Sequence, residues 1–276
     1  MVRANYTEGM DLDRHRVHPD RHFRLADVDP NDNGGLDKAA GREQVTRLNQ
    51  RLGELQELLW ADGRHRVLLV LQGMDACGKD GTIRTVFQGV NPQGVPVTSF
   101  KQPSDEELAH DYLWRVHDHA PASGELAIFN RSHYEDVLVV RVEGLVPEER
   151  WRRRYRHIME FERMLAEEGT TIVKIFLHIS KEEQRIRQQE RIDNPKKRWK
   201  FSSGDLAARA KWDQYMDAFQ DMLDETSTEF APWYVVPANR NWYRDLVVSS
   251  VLVHTLESLA LRYPEPEAGL EGLVVE

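Results

Sequence analysis

The sequence predicts an α/β fold, a three-layer domain with a central parallel sheet and helices on both faces. Three observations carry that expectation. Short and almost wholly apolar runs such as "VLLVLQ" (67–72) fit strands buried on both faces. These runs alternate with helical segments of ten or more residues, which is the pattern of βαβ units. Neither an internal repeat nor a long linker interrupts the alternation, so one domain is expected.

Residues 1–36 are polar, contain "DPNDNGG", and read as an irregular arm draped over the body and frayed at its start. From 37 to 62, Leu48, Leu52, Leu55 and Leu59 recur at helical spacing, the mark of an amphipathic helix on a core. "DGR" breaks that helix before the strand at 67–72. "GKDGTIRTVFQGV" then reads as a helix, "VPVTSF" (95–100) as a strand, "DEELAHDYLWRVHDHA" (105–120) as a helix, and "ELAIFN" (125–130) as a strand. A long helix is expected over 148–169, with Trp151, Tyr155, Ile158 and Leu165 as its apolar face and its arginines outside. "TIVKIFLHI" (171–179) is the next strand, followed by a long polar helical stretch. "WYVVPA" (233–238) is the last strand, and residues 242–263 form the last helix. The domain is thus expected over 37–263, with 264–276 a loose tail.

With 40% apolar and 30% charged residues among 276, the composition is that of a soluble globular protein. No apolar run is long enough to span a bilayer, and the first twenty residues lack the apolar core of a signal peptide. The single cysteine, Cys77, excludes an internal disulfide, argues against a cysteine-built metal site and suits the cytoplasm. A net charge of −9 repels polyanions overall, but the average does not settle the partner and the distribution of charge must; neither nucleic acid nor membrane is an expected partner. An anionic ligand needs a locally basic surface.

Gly73-Met74-Asp75-Ala76-Cys77-Gly78-Lys79 has the G-x-x-x-x-G-K spacing of a phosphate-binding loop, after a buried-type strand and before a helix. Such a loop wraps phosphate oxygens with backbone N–H groups, and the helix N-terminus adds partial positive charge. Gly73, Met74, Ala76, Cys77, Gly78, Asp80 and Gly81 are therefore candidate cradle positions, with the Lys79 ammonium on the terminal phosphates. Ser or Thr usually follows the lysine and binds Mg²⁺. Here Asp80 stands in that place, and a carboxylate has entered the loop at Asp75. Because Mg²⁺ accepts carboxylate, water and phosphate oxygens, Asp75 is the expected metal ligand. Asp80 fits the dipole of a helix's first turn better. Cys77 reads as a small filler.

The strand at 125–130 ends in Asn130-Arg131, where many phosphate-loop kinases have Asp-Arg. Glu135 and Asp136 follow, offering a second metal ligand, while the planar fork of Arg131 suits phosphate. Residues 181–200 hold eight Lys or Arg against four acids, a reversal of sign in an acidic chain. Arg187 and Arg191 share one helix face there, and Lys196 and Lys197 follow a proline. A basic segment in that position fits a helical lid of about 181–205, which excludes water and brings cations onto a transferring phosphoryl group. The arginines at 150–156 read mainly as solvated helix surface. Trp199, Trp212, Trp233 and Trp242 read as core before nucleobase platforms, and "HDH" (117–119) as surface.

Together these residues resemble the polyphosphate kinase 2 family. "LLVLQGMDACGKDGTI" is similar to its phosphate loop with the internal Asp75, and "ERIDNPKKRWKFS" (190–202) to its lid. "FNRSHYEDVLVVRV" resembles its second motif in the third class, which acts on nucleoside mono- and diphosphates; other classes tend to have Asp-Arg-Ser-Trp-Tyr there. The resemblance runs from about residue 20 to about 262, and Cys77 stands where the family often has Ala. It implies a P-loop kinase fold and phosphoryl transfer between inorganic polyphosphate and adenine nucleotides, with guanine nucleotides as a second class. It also implies Mg²⁺ or Mn²⁺ held by Asp75 and Asp136, with Glu135 as a further ligand or base. Lys79, Arg131, Arg187 and Arg191 would grip phosphates, and the chain would form a dimer or tetramer. The rival readings are an ATP-dependent nucleoside or nucleotide kinase, a nucleic-acid binder, and a non-catalytic nucleotide-binding protein. No Asn-Lys-x-Asp guanine-reading motif supports a GTPase switch.

Overall fold

The computed structural model describes residues 10–270 and 273–275, so the expected fraying of residues 1–9 lies outside it. Six strands follow in chain order: β1 (Arg16–Val17), β2 (Arg66–Gln72), β3 (Val97–Thr98), β4 (Leu126–Asn130), β5 (Thr170–His178) and β6 (Trp233–Pro237). The first five helices are α1 (Lys38–Asp62), α2 (Lys79–Val86), α3 (Asp105–Ala109), α4 (Trp114–His117) and α5 (Glu135–Val142). The rest are α6 (Glu148–Glu167), α7 (Lys181–Asp193), α8 (Ser203–Ala210), α9 (Trp212–Thr226) and α10 (Asn241–Ser258).

The sheet order is β1-β6-β5-β2-β4-β3, and every neighbouring pair is parallel except β1 with β6. β2 has β5 on one side and β4 on the other, and Val67 to Gln72 are all buried. That explains its unbroken apolar run, each side chain of which contributes about 1.5–3 kcal/mol by leaving water. α1, α2 and α10 pack together on one side, while α5, α6 and α9 form the second helical group, with the sheet between them. Asp37 caps α1 by accepting from the Ala39 and Ala40 amides, and Leu48, Leu52, Leu55 and Leu59 are buried beneath it.

Several elements depart from expectation. The arm supplies an edge strand, with Arg16 opposite Tyr234 and Val17 opposite Trp233. The strand expected at 95–100 shrinks to Val97–Thr98, preceded by Pro96, which has no N–H for a ladder. The helix expected at 105–120 is two short ones: a Ser104–Glu107 capping box starts α3, and the Asp111 carboxylate accepts the Leu113 amide at 3.0 Å in the break. The long polar stretch divides into α7, α8 and α9, with Asn194 extended before Pro195. Arg154 is buried rather than on the outer face of α6.

Under the sheet lies a fully buried ion pair. Lys174 Nζ donates to Glu162 Oε2 at 2.6 Å, the Tyr134 hydroxyl at 2.9 Å and the Thr226 carbonyl at 2.7 Å, so all three of its protons are satisfied. Tyr134 in turn donates to Glu162 Oε1 at 2.7 Å, and His133 Nε2 lies 3.2 Å from that oxygen. Burial opposes the Glu162 charge, but Lys174 and His133 outweigh it and hold the carboxyl below its usual range. This cluster anchors the turn that carries Arg131 and Glu135.

Candidate active site

The β2–α2 connection is built around two glycines. Gly73 has φ +144°, and a Cβ there would lie 2.6 Å from the Leu177 carbonyl oxygen. Gly78 has φ +109°, and its Cβ would lie 2.0 Å from Arg244 Nη1. Between them Ala76 takes φ +66°, and across the site Arg131 takes φ +65°, each costing about 1–2 kcal/mol for a residue with a Cβ. Backbone strain on two facing segments is typical of a site that needs a fixed geometry.

Five successive loop carbonyls accept hydrogen bonds from side chains. Lys79 Nζ donates to Gly73 O at 2.6 Å and Met74 O at 3.4 Å. Gln184 on α7 donates to Asp75 O at 3.1 Å, and Arg187 Nη1 to Ala76 O at 3.1 Å and Cys77 O at 2.9 Å. Fixing the carbonyls this way fixes the peptide dipoles, as an anion cradle at a helix N-terminus requires. Cys77 is fully buried, as a filler should be.

Lys79, Asp75, Arg131 and Glu135 form one electrostatic group. Arg131 Nη2 lies 2.5 Å from Asp75 Oδ1, and Asp75 and Glu135 hold the guanidinium charge against the cost of its burial. Burial pushes the Glu135 carboxyl above its usual range; Arg131, Lys79 and a Gln72 hydrogen bond oppose the shift, and the Asp75 charge adds to it. Asp136 was the expected second metal ligand, and here the geometry differs. Arg154 Nη1 lies 3.1 Å from Asp136 Oδ1, and Arg115 Nη2 3.6 Å from its Oδ2, so this carboxylate serves two buried guanidiniums. The carboxylate that senses Asp75 is its chain neighbour, Glu135.

Asp80 does more than complement a helix dipole. Its Oδ1 accepts from the Asn130 amide at 2.9 Å, and its Oδ2 lies 3.5 Å from Lys200 Nζ. Although burial opposes the charge, these partners lower its pKa. The two unusual residues of the motifs therefore match each other, because Asn130 can donate where an aspartate would repel. Helices α7 and α8 reach this group as well. Arg191 Nη1 lies 3.4 Å from Asp205 Oδ2 on α8; burial and the Asp75 charge raise the Asp205 pKa, while Arg191 and Arg131 oppose them.

Arg187 departs most from expectation. It has no donor left for phosphate: Nε donates to Glu183, Nη1 to two loop carbonyls, and Nη2 to Ala238 O and Asn239 O. Lys196 and Lys197 are exposed, the latter 3.8 Å from Glu190. Gly81 lies beside Arg244, a buried residue of α10 that no sequence pattern singled out. Gln184 and Asp205 were also missed. Gln184 stands three residues before Arg187, so helical spacing alone could have found it.

Among the described residues no group of three or more His, Cys, Asp or Glu side chains gathers as a metal site. Mg²⁺ bound with phosphates needs only one or two protein carboxylates. Asp75 and Glu135, whose charges act on each other beside Lys79 and Arg131, fit that donor set.

A strained phosphate loop at the end of a central parallel strand, overlaid by a basic helical segment, defines a P-loop phosphoryl-handling protein. The family model for polyphosphate kinase 2 matches residues 35–263, and the chain belongs to that family. It is 61% identical to the AMP/ADP-polyphosphate phosphotransferase of Meiothermus ruber, over 96% of this chain and 100% of that protein. It is 50% identical to the ADP-polyphosphate phosphotransferase of Rhodopseudomonas palustris, over 78% of this chain and 79% of that one. The crystal structure of polyphosphate kinase 2 from Arthrobacter aurescens TC1 superposes with a TM-score of 0.90 at 46% identity, covering 94% of this chain and 93% of that one.

Proposed function

We propose that this protein is a kinase that transfers the terminal phosphoryl group of inorganic polyphosphate to AMP and ADP, giving ADP and ATP. The observation that carries the reading is the group of Asp75, Glu135, Lys79 and Arg131 around one strained loop, in a chain of this family. Two cations and two carboxylates around a phosphate cradle suit a reaction whose transition state spreads negative charge over three oxygens.

A nucleotide phosphate oxygen attacks the terminal polyphosphate phosphorus in line. The bridging P–O bond breaks, and its electron pair leaves with the shortened polyphosphate. That oxygen is already anionic at neutral pH, so no general base is needed. Lys79 and Arg131 orient and neutralise the phosphoryl oxygens, and Arg191 reaches them from α7. Asp75 and Glu135 would hold Mg²⁺ or Mn²⁺, whose charge, when bound, screens the phosphates from the carboxylates. A cytoplasmic homo-oligomer completes the proposal. Among the described residues no helix is long and apolar enough to cross a membrane.

The test offers long polyphosphate or ATP, with AMP or ADP and Mg²⁺, and separates the nucleotide products. ADP and ATP formed with polyphosphate are the expected result. Turnover with ATP alone as donor would point instead to an ordinary nucleotide kinase, and no product under any metal condition overturns the reading.

A further inference from the structure

The hydrogen bonds of Arg187 continue beyond the phosphate loop. Its Nη2 holds Ala238 O at 2.6 Å and Asn239 O at 3.0 Å, in the turn between β6 and α10. Asn239 is a crossing point of its own. Its Oδ1 accepts the Ser180 amide at 3.0 Å, and its Nδ2 donates to Ser180 Oγ at 3.1 Å. Ser180 is the N-cap of α7, whose side chain accepts the Glu183 amide at 3.1 Å. From its other side Asn239 reaches the N-terminal arm: its backbone N–H donates to Pro30 O at 3.1 Å, and its Nδ2 to Asn31 Oδ1 at 2.9 Å. Arg240 Nε adds a bond to Asn31 O at 3.1 Å.

We infer that Pro30–Asn31 of the arm, Asn239 and Arg187 form a positioning relay that sets the phosphate loop from the opposite end of the chain. The loop needs such a hold. Ala76 is in the left-handed region, and its carbonyl is one of the two that Arg187 grips. A strained conformation persists only where its surroundings over-determine it. Asn239 holds both the first turn of α7 and the arm, so the relay also fixes the base of the helix that carries Arg187, Gln184 and Arg191. Asn31, Asn239 and Arg187 have no part in gripping phosphate directly. They act by keeping the carbonyls of Ala76 and Cys77 turned one way, and a small displacement of a phosphate cradle costs about ten- to a hundredfold in rate.

The kinetic part of the test rests on the polyphosphate reaction proposed above; the exchange part does not. Asn31→Ala, Asn239→Ala, their double variant and Arg187→Gln are compared with the parent protein. Amide hydrogen exchange over residues 73–82 is expected to speed up about tenfold or more in each variant, with β4 unchanged. Turnover with polyphosphate and AMP should fall about tenfold or more at an unchanged KM for AMP, and the double variant should lose no more than its worse single parent. In Arg187→Gln the salt dependence of the polyphosphate KM should keep the parent slope, because no phosphate contact has been removed. Unchanged loop protection in Asn31→Ala, additive losses in the double variant, or a shallower salt slope in Arg187→Gln would each overturn the relay. Should Arg187→Gln fail to fold, the exchange pattern of Asn31→Ala, a change at an exposed position, still decides the question.

Discussion

In the proposed reaction Asp75 is one of the two carboxylates that would hold the metal. Asp75→Asn keeps the size of the side chain and removes its charge, so turnover should fall by at least about a hundredfold, with an unchanged melting temperature as the check on folding. Glu135 sets a pH dependence. Its carboxyl titrates above the usual range because it is buried, with Asp75 adding to the shift against Arg131 and Lys79. As a metal ligand in the proposed reaction it would act in the ionised form, so the acid limb of kcat/KM should rise at a pH above that of a free glutamate, and Glu135→Gln should remove that limb. The sequence made Asp75 and Lys79 legible because loop spacing fixes where they fall, and Arg131 because it directly follows the strand β4. The family resemblance placed Asp136 ahead of Glu135, and the residues themselves gave no ground for that order. Adjacent carboxylates look alike in a sequence, and the difference is made by Arg154 and Arg115, which arrive from α6 and α4.

At the scale of elements, β2, β4, β5 and β6 were readable because buried parallel strands give apolar runs between helices. The edge strand β1 was not, since two residues carry no pattern, and the sheet order is a tertiary outcome. The arm is tied down by buried histidines. His15 lies 3.2 Å from the Val235 carbonyl oxygen through Nδ1 and 3.3 Å from the Tyr243 hydroxyl through Nε2, with Arg14, Asp32 and Asp11 nearby. His178 lies near the Val28 backbone and Asp29. Burial lowers both pKa values to about 4 from the usual 6.5. Between those values the unfolded chain binds more protons than the folded one, so stability rises with pH across that window, by at most about 3 kcal/mol per histidine. The urea midpoint should therefore drop from pH 7 to pH 4.5, and His15→Asn should shrink the drop.

For the molecule as a whole, a net charge of −9 must be overcome locally to bring in a polyanion. Lys196 and Lys197 are exposed and lie beyond the loop group, so their contribution is long-range attraction. Lys196→Glu with Lys197→Glu should raise the KM for long polyphosphate several-fold near about 0.05 M salt, and the difference should close near about 0.5 M, where the Debye length is a few ångströms. The KM for AMP, a far smaller anion, should change less. The local reversal of charge was plain in the sequence. Its division was not: Arg187 and Gln184 face the loop, Arg191 pairs with Asp205, Lys200 with Asp80, while Lys196, Lys197 and Arg198 are exposed.

Trp199 gives this arrangement an optical consequence. Expected in the core, it is instead 78% exposed, the most exposed of the seven tryptophans, and the Lys200 ammonium lies 5.0 Å from its ring centre while also facing Asp80 at the loop. Indole emission responds to a nearby charge and to contact with water. A substrate that draws Lys200 away from Asp80 must also change the field at this ring, so the emission of Trp199 reports on the Lys200–Asp80 contact without any added label.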